Sequence, residues 1–142
     1  MDDLELLHDD HALLSSQIVH VIALIKSLEG GQSSAVALVS EVLRQLEILR
    51  QQLHEHFAFE EEEAFSRLSD QHPAYKERLQ HLIEQHDQIL AAFEELRSIP
   101  WAQSQGVSAP DAAARCYRFE SAFTEHAAAE TELFREISGL TQ

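Results

Sequence analysis

Apolar residues fall at three- and four-residue intervals along four stretches of this sequence, and no stretch alternates in the manner of a β-strand. The first, Asp2 to Glu29, carries apolar residues at positions 4, 7, 14, 18, 21, 22, 25 and 28. Asp2 and Asp3 suit its start, as capping groups and as anions at the positive end of a helix dipole. Gly30-Gly31 ends it, and Ser33 or Ser34 can cap a second helix. That helix carries Val39, Val42, Leu43, Leu46, Leu49, Leu53 and Phe57 and can continue past Phe65, before His72-Pro73 marks a break. A third helix runs from about Pro73 to Arg97, with Leu79, Leu82, Ile83, Ile89, Leu90, Phe93 and Leu96. A connector from Ser98 to Pro110 holds Pro100, Trp101 and Gly106. The last helix starts near Pro110-Asp111, where proline is tolerated, and carries Cys116, Phe119, Phe123, Leu133, Phe134 and Ile137. Four helices joined by three short links predict an all-α protein, an antiparallel up-down-up-down four-helix bundle with residues 1–142 in a single domain.

Each of the four apolar stripes is interrupted, and always by His or Glu. Helix one runs Leu4, Leu7, His11, Leu14, Ile18; helix two runs Leu46, Leu49, Leu53, His56, Glu60, Ala64. Helix three runs Leu79, Leu82, His86, Ile89, Phe93; helix four runs Cys116, Phe119, Phe123, His126, Glu130, Leu133, Ile137. These interruptions occupy the core-facing series. Both carboxylates belong to an H-x-x-x-E pair, His56 with Glu60 and His126 with Glu130, and residues four apart share a helix face. At about 1.5 Å of rise per residue, Glu60, His86 and His126 sit at comparable levels, with His11 and His56 matching less evenly.

Composition narrows what this layer can be. A chain of 142 residues, 44% apolar, buries a real core, and its formal charge of −15 argues against nucleic acid or an acidic membrane surface as partner. No basic segment followed by an apolar run suggests a signal peptide, and no apolar stretch approaches the roughly 20 residues of a membrane span. The one cysteine, Cys116, excludes an internal disulfide and fits a reducing, cytoplasmic setting. Nine histidines, scattered rather than consecutive, are an excess that asks for a cause.

A lone His on an apolar stripe is usually a hydrogen-bonded core residue, and a lone H-x-x-x-E occurs by chance on many helices. Four stripe histidines beside two stripe carboxylates are different, because a buried carboxylate without compensation is very costly and no stripe Lys or Arg is present. A cation is the natural compensator. The donor mixture suits iron or manganese better than a thiolate-rich zinc site or an all-oxygen calcium or magnesium site. With both carboxylates bridging two metals, each metal takes two imidazoles and two carboxylate oxygens, and positions remain for a bridging oxygen and an exogenous small molecule.

The remaining residues read more plainly. His20, His54 and His72 fall off the stripes; His8 and His81 lie near proposed ligands, each as an alternative fifth His or a hydrogen-bond donor to one. Glu61, Glu62 and Glu63 read as a solvated acidic face, Cys116 as a buried structural thiol, and Trp101 as a plug on one end of the bundle.

At these residues the sequence resembles the hemerythrin-like family of HHE cation-binding domains over nearly its whole length. The resemblance implies a non-haem di-iron centre ligated by His11, His56, Glu60, His86, His126 and Glu130, with an oxo or hydroxo bridge and with manganese or zinc as alternative metals. It departs from the oxygen-carrying hemerythrins in two places. Leu82 and Leu90 stand where H-x-x-x-H would place a second third-helix histidine, and the chain ends its motif with H-x-x-x-E in place of H-x-x-x-x-D. It is thus more similar to the bacterial and regulatory branch, including proteins tied to nitrosative stress and iron–sulfur repair, though without the cysteine-bearing N-terminal segment of the repair proteins. A ferritin-like plan, needing E-x-x-H on two helices, is met only by Glu5 and His8. The expected function is binding of, or reaction with, O2, NO or peroxide in sensing or stress handling; the alternative is a di-iron enzyme or an iron–sulfur repair or iron-donating protein. A further alternative is a metal-free helical interaction module. The near-repeat of His-plus-(His-Glu) in the two halves predicts two similar metal environments.

Overall fold

The stripes fold as helices. The computed structural model describes residues 3–29, 35–101 and 109–140, in which α1 is Asp3–Glu29, α2 Ala35–Phe59, α3 Phe65–Gln71, α4 Lys76–Arg97 and α5 Ala109–Leu140. A π-helical turn, Glu60–Ala64, carries α2 into α3 without a break. A 3-10 turn, Pro73–Tyr75, then leads into α4. The third long helix thus begins at Lys76, later than the Pro73 expected from the sequence. His72 is the cause: at φ −135° and ψ 73° it is held outside the helical region, as a residue preceding proline is. Pro110 falls in the first turn of α5, where its missing N–H leaves no bond unmade. The Gly30-Gly31 stop, the Ser33 and Ser34 caps and Gly106 lie outside the described residues. Among the described residues there is no strand, and no helix is long and apolar enough to cross a membrane.

Side-chain pairs fix the order around this four-helix bundle. Asp10 and Gln17 of α1 meet His56 and Gln45 of α2, so numbers rise along one helix and fall along the other. Arg97 and His86 of α4 meet Glu47 of α2 and Glu61 of the π turn, and Arg78 and Arg118 link α4 to α5 through Glu136 and Glu95. Each of these neighbouring pairs therefore runs antiparallel. His11 against Glu130 closes the ring between α1 and α5.

Two apolar clusters fill the interior. The larger contains Ile18, Leu46, Leu49, Phe93 and Phe119, and Trp101 packs into it at 2% exposure while its Nε1–H donates to Leu96 O at 3.2 Å. Trp101 is thus the end plug its position suggested, and Cys116 is buried in the same cluster. The smaller cluster holds Leu7, Phe65, Leu68, Leu79, Leu133 and Ile137. Burying each such Phe or Leu contributes about 1.5–3 kcal/mol. The buried His56, Glu60, His86, His126 and Glu130 belong to neither cluster.

Candidate metal centre

From Leu46 to Ala64 the stripe of α2 steps by three and four residues, averaging the helical repeat of about 3.6, so ordinary helix keeps it on the core. Phe65, the next residue, would fall about 100° off that stripe on an ideal α-helix. The π turn widens the helix there: the N–H of Phe65 bonds to Glu60 O, five residues back, and Glu60, Ala64, Phe65 and Leu68 are all buried. Such turns recur where a helix must aim functional side chains. On α4 and α5 ordinary helical spacing suffices, and every stripe residue named above on these two helices is buried.

The six candidate ligands meet in two overlapping groups. In one, ligand atoms of His11, His56, Glu60 and Glu130 lie within 4.8 Å of one another; in the other, the same holds for Glu60, His86, His126 and Glu130. His11 Nε2 is 2.5 Å from Glu130 Oε2 and 3.9 Å from Glu60 Oε2. His56 Nε2 and His86 Nε2 lie 3.2 Å and 3.1 Å from Glu60 Oε1, and His126 Nε2 abuts Glu130 Oε1. The His11 and His56 rings are 4.9 Å apart, so the uneven axial match inferred from the sequence does not separate them. Phe57 stacks on His86 at 4.0 Å and 12°, and Phe65 and Phe134 lie against His86 and His11, giving the centre an apolar wall.

Compensation of the two buried carboxylates decides what this arrangement can hold. Burial works against the His11 cation, but Glu130 and Glu60 outweigh it and push its pKa up from 6.5 to about 10. His86 is likewise raised by Glu60 and Glu61 against the effect of burial. Burial works against the Glu60 anion, yet contacts with His11, His56 and His86 hold it well below 4.5. Protons can therefore balance the charge in part. They do not satisfy the geometry: His56 Nε2, His126 Nε2, Glu60 Oε2 and both carboxylate oxygens of Glu130 are buried without a hydrogen-bond partner. These atoms are close to one another but misaligned for N–H···O bonds, as lone pairs directed at a common point would be. A shared cation fits that pattern, and four imidazoles with two carboxylates suit iron, manganese or zinc.

The ring nitrogens facing away from the centre carry a pattern of their own. His56 Nδ1 lies 3.4 Å from Asp10 Oδ2, His86 Nδ1 lies 3.2 Å from Glu61 Oε2, and His126 Nδ1 donates to Gln85 Oε1 at 2.8 Å. Asp10, Glu61 and Gln85 are each the chain neighbour of a candidate ligand and reach the histidine of the next helix around the ring. Such contacts fix the tautomer and orientation of a ligand imidazole. None of the three stands out in the sequence, where each lies off the apolar stripes. Glu61, expected to be one of three solvated acids, is instead tied to His86, while Glu62 and Glu63 are exposed as expected. His81 is 70% exposed and pairs with Glu84 at 3.8 Å, away from the cluster, which removes it as a fifth ligand. The His8 side chain lies outside the described residues. His20 and His54 are exposed, and His72 is half-buried in its turn.

The Hemerythrin HHE cation binding domain matches residues 2–137 of this chain. No curated protein and no solved structure matches it.

Proposed function

The chain belongs to the hemerythrin HHE cation-binding family, and on that premise we propose that it is a single-domain, non-haem di-iron protein that binds or reacts with O2, NO or a peroxide. His11 and His56 would hold one ion and His86 and His126 the other, with Glu60 and Glu130 available to both. The observation that carries this reading is the set of buried, unpartnered imidazole and carboxylate atoms where two ligand groups overlap. Iron bound there would supply a redox-active position for a small molecule. The protein's part is to fix the imidazoles through Asp10, Glu61 and Gln85 and to keep bulk water out with Phe57 and Phe65. With Leu82 and Leu90 four residues either side of His86, and Glu130 closing the last motif, the centre suits sensing or disposal of reactive small molecules better than simple oxygen carriage.

Metal analysis after anaerobic reconstitution tests this directly, followed by visible spectra before and after air, NO and azide. Two irons per chain and a spectrum that responds to one of these molecules are expected. A folded chain that retains neither iron nor manganese would sink the reading.

A further inference from the structure

The two ligand groups match in residue type but not in surroundings. The side chains of His56, His86 and His126 are 2–3% exposed, whereas His11 is 13% exposed. Beside the His11–His56 half, a cavity of about 160 Å³ opens between α1 and α2, lined by Asp10, Leu13, Leu14, Gln52, Glu55 and His56. Its lining grades from exposed Leu13 and Glu55 to buried Leu14 and His56, so it leads from solvent to a candidate ligand.

Its chemistry is that of a cation path. Asp10 and Glu55 supply carboxylates, no Lys or Arg lines it, and Gln52 Oε1 is buried without a hydrogen-bond partner. Asp10, its side chain 45% exposed and 3.4 Å from His56 Nδ1, joins the solvent side of the cavity to the outer edge of a candidate ligand. A cavity of this size holds several waters, so a cation can enter with part of its hydration shell and exchange water for protein oxygens. A cleft of one charge sign also concentrates counter-ions. The larger cavity between α4 and α5, about 430 Å³, differs on both counts: Arg78 is in its lining, and none of the six candidate ligands is.

We propose that the α1–α2 cavity is the route by which a divalent metal cation reaches and leaves the His11–His56 half, so that this ion exchanges with solvent while its neighbour is retained. The proposal rests on the two-metal reading of the centre.

The test is metal exchange in the loaded full chain. Protein carrying Co(II) is mixed with excess Zn(II), which binds such donors more tightly, and the loss of Co(II) absorbance is followed. Two phases are expected, one metal equivalent each. Leu13→Trp, which plugs the exposed mouth, and Glu55→Arg, which reverses its charge, each slow the fast phase by about tenfold and leave the slow phase alone. His81→Trp, in the other cavity, changes neither. Circular dichroism checks that each variant keeps its helices, and the two mouth variants act by different means, so misfolding of one leaves the other to decide. A single phase in the unaltered protein, or a fast phase that neither mouth variant slows, overturns the route while two bound equivalents leave the centre standing. A folded chain that holds no Co(II) and no iron overturns the two-metal reading itself.

Discussion

Glu61 reaches the Nδ1 of His86 at 3.2 Å, the ring nitrogen turned away from the centre, while the preceding residue, Glu60, faces Nε2 at 3.1 Å. Two consecutive residues of the π turn thus hold both ends of one imidazole. Glu61→Ala removes the outer hold from a largely surface position. Metal affinity is expected to fall about 10- to 100-fold with helical content unchanged, as read by competition with a calibrated chelator. Unaltered affinity would show that Glu61 does not position the ligand.

Glu130 serves both ligand groups from α5. In the unaltered protein, metal at a hundred times its dissociation constant should stabilise the fold by about 2.7 kcal/mol for each ion bound independently. In Glu130→Gln that metal-dependent gain should shrink, with fewer than two ions retained. The comparison is of thermal midpoints with and without metal. An equal gain in both proteins would count against a shared carboxylate.

Phe57 is 2% exposed and lies flat on His86. Phe57→Ala is expected to cost about 3–5 kcal/mol, through lost burial and the cavity left behind. Urea denaturation measures the loss, and a cost below about 1 kcal/mol, the range of volume-conserving swaps, would mean that the site collapses around the gap.

Arg78 and Glu136 join α4 to α5 at the surface. Hydrogen bonding to Arg78 lowers the Glu136 pKa below 4.5. Because the folded-state value is depressed, the contribution is present above 4.5 and is lost as pH falls through the folded value. Arg78→Gln should therefore melt below the unaltered protein near neutral pH, with the gap closing in acid and shrinking in salt. A gap that persists at low pH would assign the effect to the packing of Arg78 over Tyr75.

The bundle and the ligand cluster were legible for one reason: a His or Glu on an apolar stripe is a departure from pattern that only burial with a partner explains. His56, Glu60, His86, His126 and Glu130 all announced themselves in that way. Asp10, Glu61 and Gln85 did not, because each sits one residue off its stripe, where an acid or amide looks like ordinary solvated surface. The signal available was adjacency, since each neighbours a stripe ligand in the chain. The π turn was hidden too. Four consecutive glutamates give no sign of register, and a widened turn among them shows only through what it buries, Ala64, Phe65 and Leu68. The near-repeat in sequence predicts two similar metal environments; the two groups do share residue types, two His and two Glu each, but the repeat gives no sign of the cavity beside one of them.

The polar layer divides the apolar interior into two clusters, with Leu7, Phe65, Leu68, Leu79, Leu133 and Ile137 forming the smaller end. That end has its own packing and faces the rest of the bundle across atoms that lack partners. Its amides are expected to open as one cooperative unit, at less than the free energy of global unfolding, as hydrogen exchange would show. A cation held between the clusters couples them, so hydrogen exchange at this end becomes the slow, whole-bundle kind when metal is bound. A bound cation would then act as a fastener, and its occupancy would be readable in how readily one end of the protein unzips.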